Sequence, residues 1–333
     1  MIEIEHLTKY YGEHLAVSDL NLTIESGQIY GFLGPNGAGK STTMNMMAGC
    51  LSATEGSVRV GGYDIFREPD RAKRLIGYLP EQPPLYMNES PEEYLRFVGE
   101  AKGLRGAELE RQLDAVIRQT GIEDVAHRRV SALSKGYRQR LGIAQALLGD
   151  PGVIILDEPT VGLDPIQIIG IRDLIKALGR THTVIFSSHI LSEVRAICDR
   201  IIMIAHGKLA AFDTPENLEK HLLAPSEVTL AADAGLDEVR ALLEDVEHIT
   251  SMTAEETGTG LVTACLQTDL PDVYGLSRAV FGAFAASGRV LLEMTVKKAS
   301  LEDIFLELAE TGDGGPEPRA AGAGSAESEV KGQ

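Results

Sequence analysis

The residues Gly34-Pro35-Asn36-Gly37-Ala38-Gly39-Lys40-Ser41-Thr42 carry the spacing G-x-x-x-x-G-K-[ST], the phosphate-binding P-loop. Glycines at these positions let successive backbone N–H groups turn toward a polyphosphate, which a Cβ would obstruct. Lys40 is placed to reach the β- and γ-phosphates, and the Ser41 hydroxyl to ligate Mg²⁺. The flanking residues give the loop its context. Gln28 to Leu33 read as a short buried strand, and Ser41 to Cys50, with Met44, Met46, Met47 and Ala48, read as a helix. Strand, loop and helix in that order put a helix N-terminus, with its positive dipole end, at the phosphates. A glycine-rich turn with no ligand is the plainer reading of the loop, and this context leaves it little room.

A second constellation lies at Val153-Ile154-Ile155-Leu156-Asp157-Glu158-Pro159-Thr160. Four apolar residues predict a fully buried parallel strand, with two carboxylates at its C-terminal end, where open α/β sheets bind ligands. Asp157 suits a Mg²⁺ ligand, and Glu158 suits a base that orients and deprotonates water. Thr183 to Phe186 read as another strand, ending at Ser187-Ser188-His189. A lone histidine is usually structural, but at this strand tip it is a candidate to touch a γ-phosphate. Tyr11 offers a ring to an adenine or packs against the small sheet. Gln82, in Gly77-Tyr78-Leu79-Pro80-Glu81-Gln82-Pro83-Pro84, reads on its own as a solvated loop residue.

These groups need a scaffold. Residues 1–66 are β-rich, with a turn signal at Gly61-Gly62. Residues 90–149 are helical: Ser90-Pro91-Glu92-Glu93 is a capping box, a second helix runs from about Ala107 to Thr120, and a third starts near Leu133 with Ser134 as N-cap. This block predicts a helical lobe inserted between strands. Arg200 to Ala205 and Lys208 to Phe212 predict a hairpin around His206-Gly207. After a proline-marked linker over 213–226, the order is strand 227–231, helix 236–243, strands 246–252 and 260–267, helix 273–286 and strand 290–296. That βαββαβ order is the ferredoxin-like motif. Its His248 and Cys265 fall in strand-like runs. Ser300-Leu301-Glu302-Asp303 predicts the cap of a last helix with Ile304, Phe305 and Leu308 on one face. Residues 311–333 have the composition of a disordered tail.

The chain has 333 residues, 44% hydrophobic and 24% charged, which suits two globular domains. With 31 basic against 49 acidic residues its net charge is −18, which argues against a nucleic-acid partner held by backbone charge. Cys50, Cys198 and Cys265 are scattered among apolar residues and read as buried thiols in a reducing cytosol. No apolar run approaches the roughly 18 residues of a membrane span, and the N-terminus alternates like a strand, unlike a signal peptide. Work at a membrane would then pass through another chain.

Taken in order, the motifs resemble the nucleotide-binding subunit of an ATP-binding-cassette (ABC) transporter. Over about residues 1–215, Gly34 to Thr42 match Walker A, Gln82 the Q-loop, and Leu133 to Gln139 the signature. Val153 to Glu158 match Walker B, Val161 to Asp164 the D-loop and His189 the H-loop, while Tyr11 falls at the adenine-stacking position. The signature departs from Leu-Ser-Gly-Gly-Gln at Lys135 and Tyr137, and keeps Ser134 and Gly136. The resemblance implies an α/β fold: a P-loop NTPase ABC cassette with a RecA-like core, an antiparallel β subdomain and a helical lobe over about 85–150. A small α+β domain would follow over 216–310, with the tail over 311–333. It implies binding and hydrolysis of ATP with Mg²⁺. Gly34, Asn36, Gly37, Ala38, Gly39, Lys40, Ser41 and Thr42 would bind nucleotide with Tyr11, and with Ser134 and Gly136 of a second cassette. Ser41, Gln82 and Asp157 would serve the metal. Glu158, as base, Lys40, His189 and Gln82 would serve catalysis.

The signature variant and the C-terminal extension, ending in Ser300 to Leu306, resemble single-cassette subunits of type-2 ABC exporters. A homodimer docked on a separate membrane permease, at the cytoplasmic face of the cell membrane, follows from that resemblance; import is the open alternative. ABC ATPases of ribosomes usually carry two cassettes and basic surfaces. Those of DNA repair split the cassette with long heptads or zinc-binding cysteines. This chain shows neither pattern. The transported substrate is not written in it.

Overall fold

The computed structural model describes residues 1–221, 226–257, 260–268, 270 and 273–297. Two compact units are present, one over Met1–Asp213 and one beginning at Thr214.

The first unit runs β1 (Ile2–Tyr11), β2 (His14–Ile24), β3 (Ile29–Leu33), α1 (Lys40–Met47), β4 (Glu55–Val60), β5 (Tyr63–Asp64), α2 (Pro69–Arg74), β6 (Ile76–Leu79), α3 (Pro91–Ala101), α4 (Gly106–Thr120), α5 (Lys135–Leu147), β7 (Val153–Leu156), α6 (Pro165–Leu178), β8 (Thr183–Ser188), α7 (Leu191–Arg195), β9 (Arg200–Ala205) and β10 (Lys208–Asp213). Strands β2-β1-β4-β5 form an antiparallel sheet, and β10-β9-β3-β8-β7-β6 form a six-stranded sheet. The latter is parallel apart from the β9–β10 hairpin. Its central strands β3, β7 and β8 are buried at every residue, which is why β7 reads as a continuous apolar run and β8 carries Val184, Ile185 and Phe186 together.

Helix α1 sits in a core shared by both sheets. Met44, Met46 and Met47 are fully buried, with Ile2, Leu7 and Val17 from the antiparallel sheet and Phe32, Ile155 and Ile185 from the parallel one. Each such side chain contributes about 1.5–3 kcal/mol by leaving water. The P-loop is thereby fixed at its helical end. In the lobe, α3 starts at the capping box: Ser90 N donates to Glu93 Oε2 at 2.8 Å, and Glu93 N donates to Ser90 Oγ at 3.3 Å. Helix α5 ends on Lys102, whose Nζ donates to the carbonyls of Gln145 (3.0 Å) and Leu148 (2.6 Å). Such a cation satisfies carbonyls that have no partner within the helix.

The second unit runs α8 (Pro215–His221), β11 (Ser226–Asp233), α9 (Leu236–Glu244), β12 (Ser251–Thr257), β13 (Leu261–Thr268), α10 (Val273–Ser287) and β14 (Val290–Lys297). Its sheet, in the order β12-β13-β11-β14, is antiparallel throughout. From β11 onward the elements follow the ferredoxin-like order. It has a core of its own, with Val228, Leu230, Leu243, Val262, Leu266 and Phe284 buried.

Several expectations need correction. The strand expected at 246–252 lies instead at Ser251–Thr257. Val246 and Ile249 pack against the core from the turn after α9, so they are apolar without being a strand. His248 stands in that turn, with φ 70°. Part of the expected linker is the helix α8, begun by Thr214, whose Oγ1 accepts from Asn217 N at 3.2 Å. Cys50 is exposed, and Cys198 and Cys265 are half-buried. The expected helix at 300–308 and the tail at 311–333 lie outside the described residues. Among the described residues no helix is long and apolar enough to cross a membrane.

Candidate functional site

The P-loop joins β3 to α1 and needs its glycines. Gly37 and Gly39 have φ 83° and 101°, a region that side chains with a Cβ rarely enter. A Cβ on Gly34 would lie 2.4 Å from the carbonyl oxygen of Ile204, and one on Gly39 2.6 Å from that of Ala16. Both neighbours are backbone and cannot yield. Ala38 is buried, and its N–H donates to Pro35 O at 3.2 Å, closing the loop.

Asn36, Gly37, Gly39, Lys40, Ser41 and Thr42 line one side of a cleft of about 460 Å³. Tyr11, half exposed, stands at its edge, and Glu158 and His189 close it from the ends of β7 and β8. Lys40 Nζ donates to Gly34 O at 2.8 Å and to Pro35 O at 3.2 Å, and lies 3.6 Å from Glu158 Oε1. Burial pulls the Lys40 ammonium below the ordinary lysine value, and the Glu158 carboxylate opposes that shift. The other oxygen, Glu158 Oε2, lies 3.0 Å from His189 Nδ1. Glu158 itself has φ 46°, an unfavourable backbone for a non-glycine residue and of a kind that clusters at functional sites. Its N–H donates to Ser187 Oγ at 2.7 Å, and Ser187 Oγ donates to Asp157 Oδ1 at 2.6 Å. Ser41 Oγ reaches the same Asp157 oxygen at 3.1 Å.

Not every expected residue meets there. Gln82 lines a neighbouring cleft of about 450 Å³ with Lys135, Arg138 and Gln139, and it is Glu81 that borders the Lys40 cleft. Glu81 borders both clefts and Gln82 only the second, the two residues standing at a bend in the loop after β6. Ser134 and Gly136 border a third cleft, of about 230 Å³, with Arg140, Ile166 and Gln167. Ser134 caps α5 as expected, its Oγ accepting from Tyr137 N at 3.4 Å. Ser187, Glu81 and His14 are site neighbours that the sequence reading missed. The signal for the serine is its place, directly before Ser188-His189 at the end of β8.

A phosphate loop on a parallel strand, with two carboxylates and a histidine on neighbouring strand ends, defines a P-loop nucleoside-triphosphatase. The ABC transporter family model matches residues 17–161. The bacitracin transport ATP-binding protein BcrA of Bacillus licheniformis is 34% identical over 92% of this chain and 97% of its own. The linearmycin resistance ATP-binding protein LnrL of Bacillus subtilis (strain 168) is 31% identical over 92% and 98%. Among solved structures, the dimeric post-hydrolysis cassette MJ0796 with ADP and Pi matches with a TM-score of 0.59 and 28% identity, over 64% of this chain and 98% of that one. The chain belongs to the ABC transporter ATP-binding proteins. It binds and hydrolyses ATP as the ATPase subunit of a membrane transporter.

Proposed function

We propose that this chain powers an exporter, working as a pair of identical cassettes at the cytoplasmic face of a membrane through a separate permease. The observation that carries the reading is the division of the site. Lys40, Glu158 and His189 share one cleft, whereas Ser134 and Gly136 face another. One chain alone does not surround a γ-phosphate, and a second copy supplies the missing wall with its α5 N-terminus. The dimeric state of MJ0796 supports this. Export is supported by relatives named for bacitracin transport and linearmycin resistance.

The chemistry follows from the charges. Lys40 holds the β- and γ-phosphates and offsets charge that builds during transfer. Glu158 Oε1 or Oε2 takes a proton from the attacking water, and His189, hydrogen-bonded to that carboxylate, orients it. Tyr11 offers its exposed ring to the adenine. Among the described residues no group of three or more His, Cys, Asp or Glu could hold a metal unaided. A hydroxyl and a carboxylate 3.1 Å apart beside the phosphate loop nevertheless fit Mg²⁺, which takes few protein oxygens and completes its shell with phosphate and water. Ser41 and Asp157 would hold the ion, and when bound it offsets phosphate charge. Gln82 would join them only after its loop turns toward the Lys40 cleft. The test is ATP turnover by the Glu158→Gln chain; parent-like turnover removes the base assignment.

A further inference from the structure

We propose that Glu193 is a positioning residue for hydrolysis, a buried carboxylate that ties the loop following Glu158 to the loop carrying His189. The proposal rests on Glu158 and His189 acting together at the γ-phosphate. In sequence Glu193 is a charge on a short helix, the kind of residue that normally faces water. Here it is 3% exposed. Its Oε2 accepts from Thr160 Oγ1 at 2.7 Å and from Ser188 Oγ at 3.1 Å. Its Oε1 faces Arg172 of α6 at 3.7 Å, a looser contact than either hydroxyl bond.

The two hydroxyls fix the two segments that matter. Thr160 lies two residues beyond Glu158, and Ser188 immediately precedes His189. Ser188 Oγ also accepts from Ile190 N at 3.0 Å, so its bonds span His189. A single carboxylate oxygen thus links both chain segments, and across that link stands the 3.0 Å contact between His189 and Glu158. Thr160 and Ser188 are themselves buried, at 7% and 1% exposure. If this region needed only filling, apolar side chains would do so without the cost of burying a charge. A hydrogen-bonded buried network instead specifies one arrangement of the groups it joins.

The test uses the full chain and compares Glu193→Ala, Glu193→Gln, Thr160→Val/Ser188→Ala and Glu158→Gln for kcat, KM for ATP and melting temperature. Glu193→Ala is expected to lower kcat on the order of 10- to 100-fold while KM for ATP stays within about threefold, as for a misplaced reacting pair with intact binding. Glu193→Gln, which keeps an oxygen acceptor, is expected to recover most of that loss. The Thr160→Val/Ser188→Ala chain is expected to lose as much as Glu193→Ala, and adding Glu193→Ala to it to cost nothing more. A kcat within about twofold of the parent in Glu193→Ala overturns the proposal. So does a Glu193→Gln chain as impaired as Glu193→Ala. If Glu193→Ala does not fold, parent-like kcat in Thr160→Val/Ser188→Ala overturns it. Glu158→Gln separates the two levels: normal turnover there removes the base assignment and this proposal with it, whereas lost turnover there with a parent-like Glu193→Ala removes only the positioning role.

Discussion

His189 Nδ1 lies 3.0 Å from Glu158 Oε2, the two residues standing just beyond the ends of the adjacent parallel strands β8 and β7. Strand register brings them together, so their contact does not depend on a long loop. The opposite oxygen of Glu158 faces Lys40, which is in turn held by the Gly34 and Pro35 carbonyls. Incoming phosphate therefore meets a lysine already fixed in direction, and a carboxylate whose partners lie on either side.

Replacing Glu158 by Gln keeps the shape and the hydrogen-bonding reach and removes the base. ATP turnover is expected to fall on the order of 10²- to 10⁴-fold, the usual scale for general-base catalysis. ATP binding is expected to persist, and the variant to accumulate as an ATP-bound dimer in sizing experiments. A variant that hydrolyses ATP but elutes only as monomer would speak against the paired cassette.

Lys40→Ala removes the fixed cation on the β- and γ-phosphates. A charge-assisted hydrogen bond of about 1.5–3 kcal/mol corresponds to a loss of about 10- to 100-fold in ATP affinity. Calorimetric titration measures it directly, and unchanged affinity would sink the assignment of the phosphate site. Glu158 then loses the ammonium beside its Oε1, so some change in thermal stability is expected alongside.

Much of this site was legible in the sequence because its groups sit at fixed offsets from strand ends. The apolar runs of β3 and β7 lead directly into the P-loop and into Asp157-Glu158. What escaped notice depends on packing between distant segments. Glu193 has the local pattern of a solvated helix residue, and only the approach of Thr160 and Ser188 makes it internal. Gln82 and Glu81 are both polar loop residues, and which of them turns toward Lys40 follows from the backbone at that loop. The strand β12 was misplaced for a different reason. As an edge strand it buries only part of one face, with Met252 and Ala254 half-buried between exposed neighbours, so its polar residues gave a weak signal beside Val246 and Ile249. The Thr214-Pro215 start of α8 was a readable cap that the prolines of the linker obscured.

If each site is shared between two chains, mixing Ser134→Arg chains with Lys40→Ala chains is expected to restore hydrolysis that neither variant shows alone. In a mixed dimer one of the two sites then combines an intact P-loop with an intact α5 N-terminus. Mass spectrometry can establish that mixed dimers form. Mixtures no more active than the separate variants, once that is established, would exclude the shared site.

The last expectation concerns the second unit. All the groups that line the Lys40 cleft lie before residue 190. The buried residues of the first unit cluster around Met44, Phe32 and Ile155, and those of the second around Leu230, Val262 and Phe284, as separate cores. A core that is complete on its own does not need the other unit in order to fold. Within the second unit, the described residues bring together no catalytic constellation: His248 stands in a turn, and Cys265 is half-buried on β13. A chain ending at Ala224 is therefore expected to fold and to bind ATP within about threefold of the full-length affinity, a difference of less than 1 kcal/mol. Dimerisation and coupling to the membrane partner are the functions expected to weaken. Circular dichroism checks the fold of the shortened chain and calorimetry its ATP affinity. A well-folded shortened chain that no longer binds ATP would show that residues beyond 224 contribute to the nucleotide site, against the independence of the two cores.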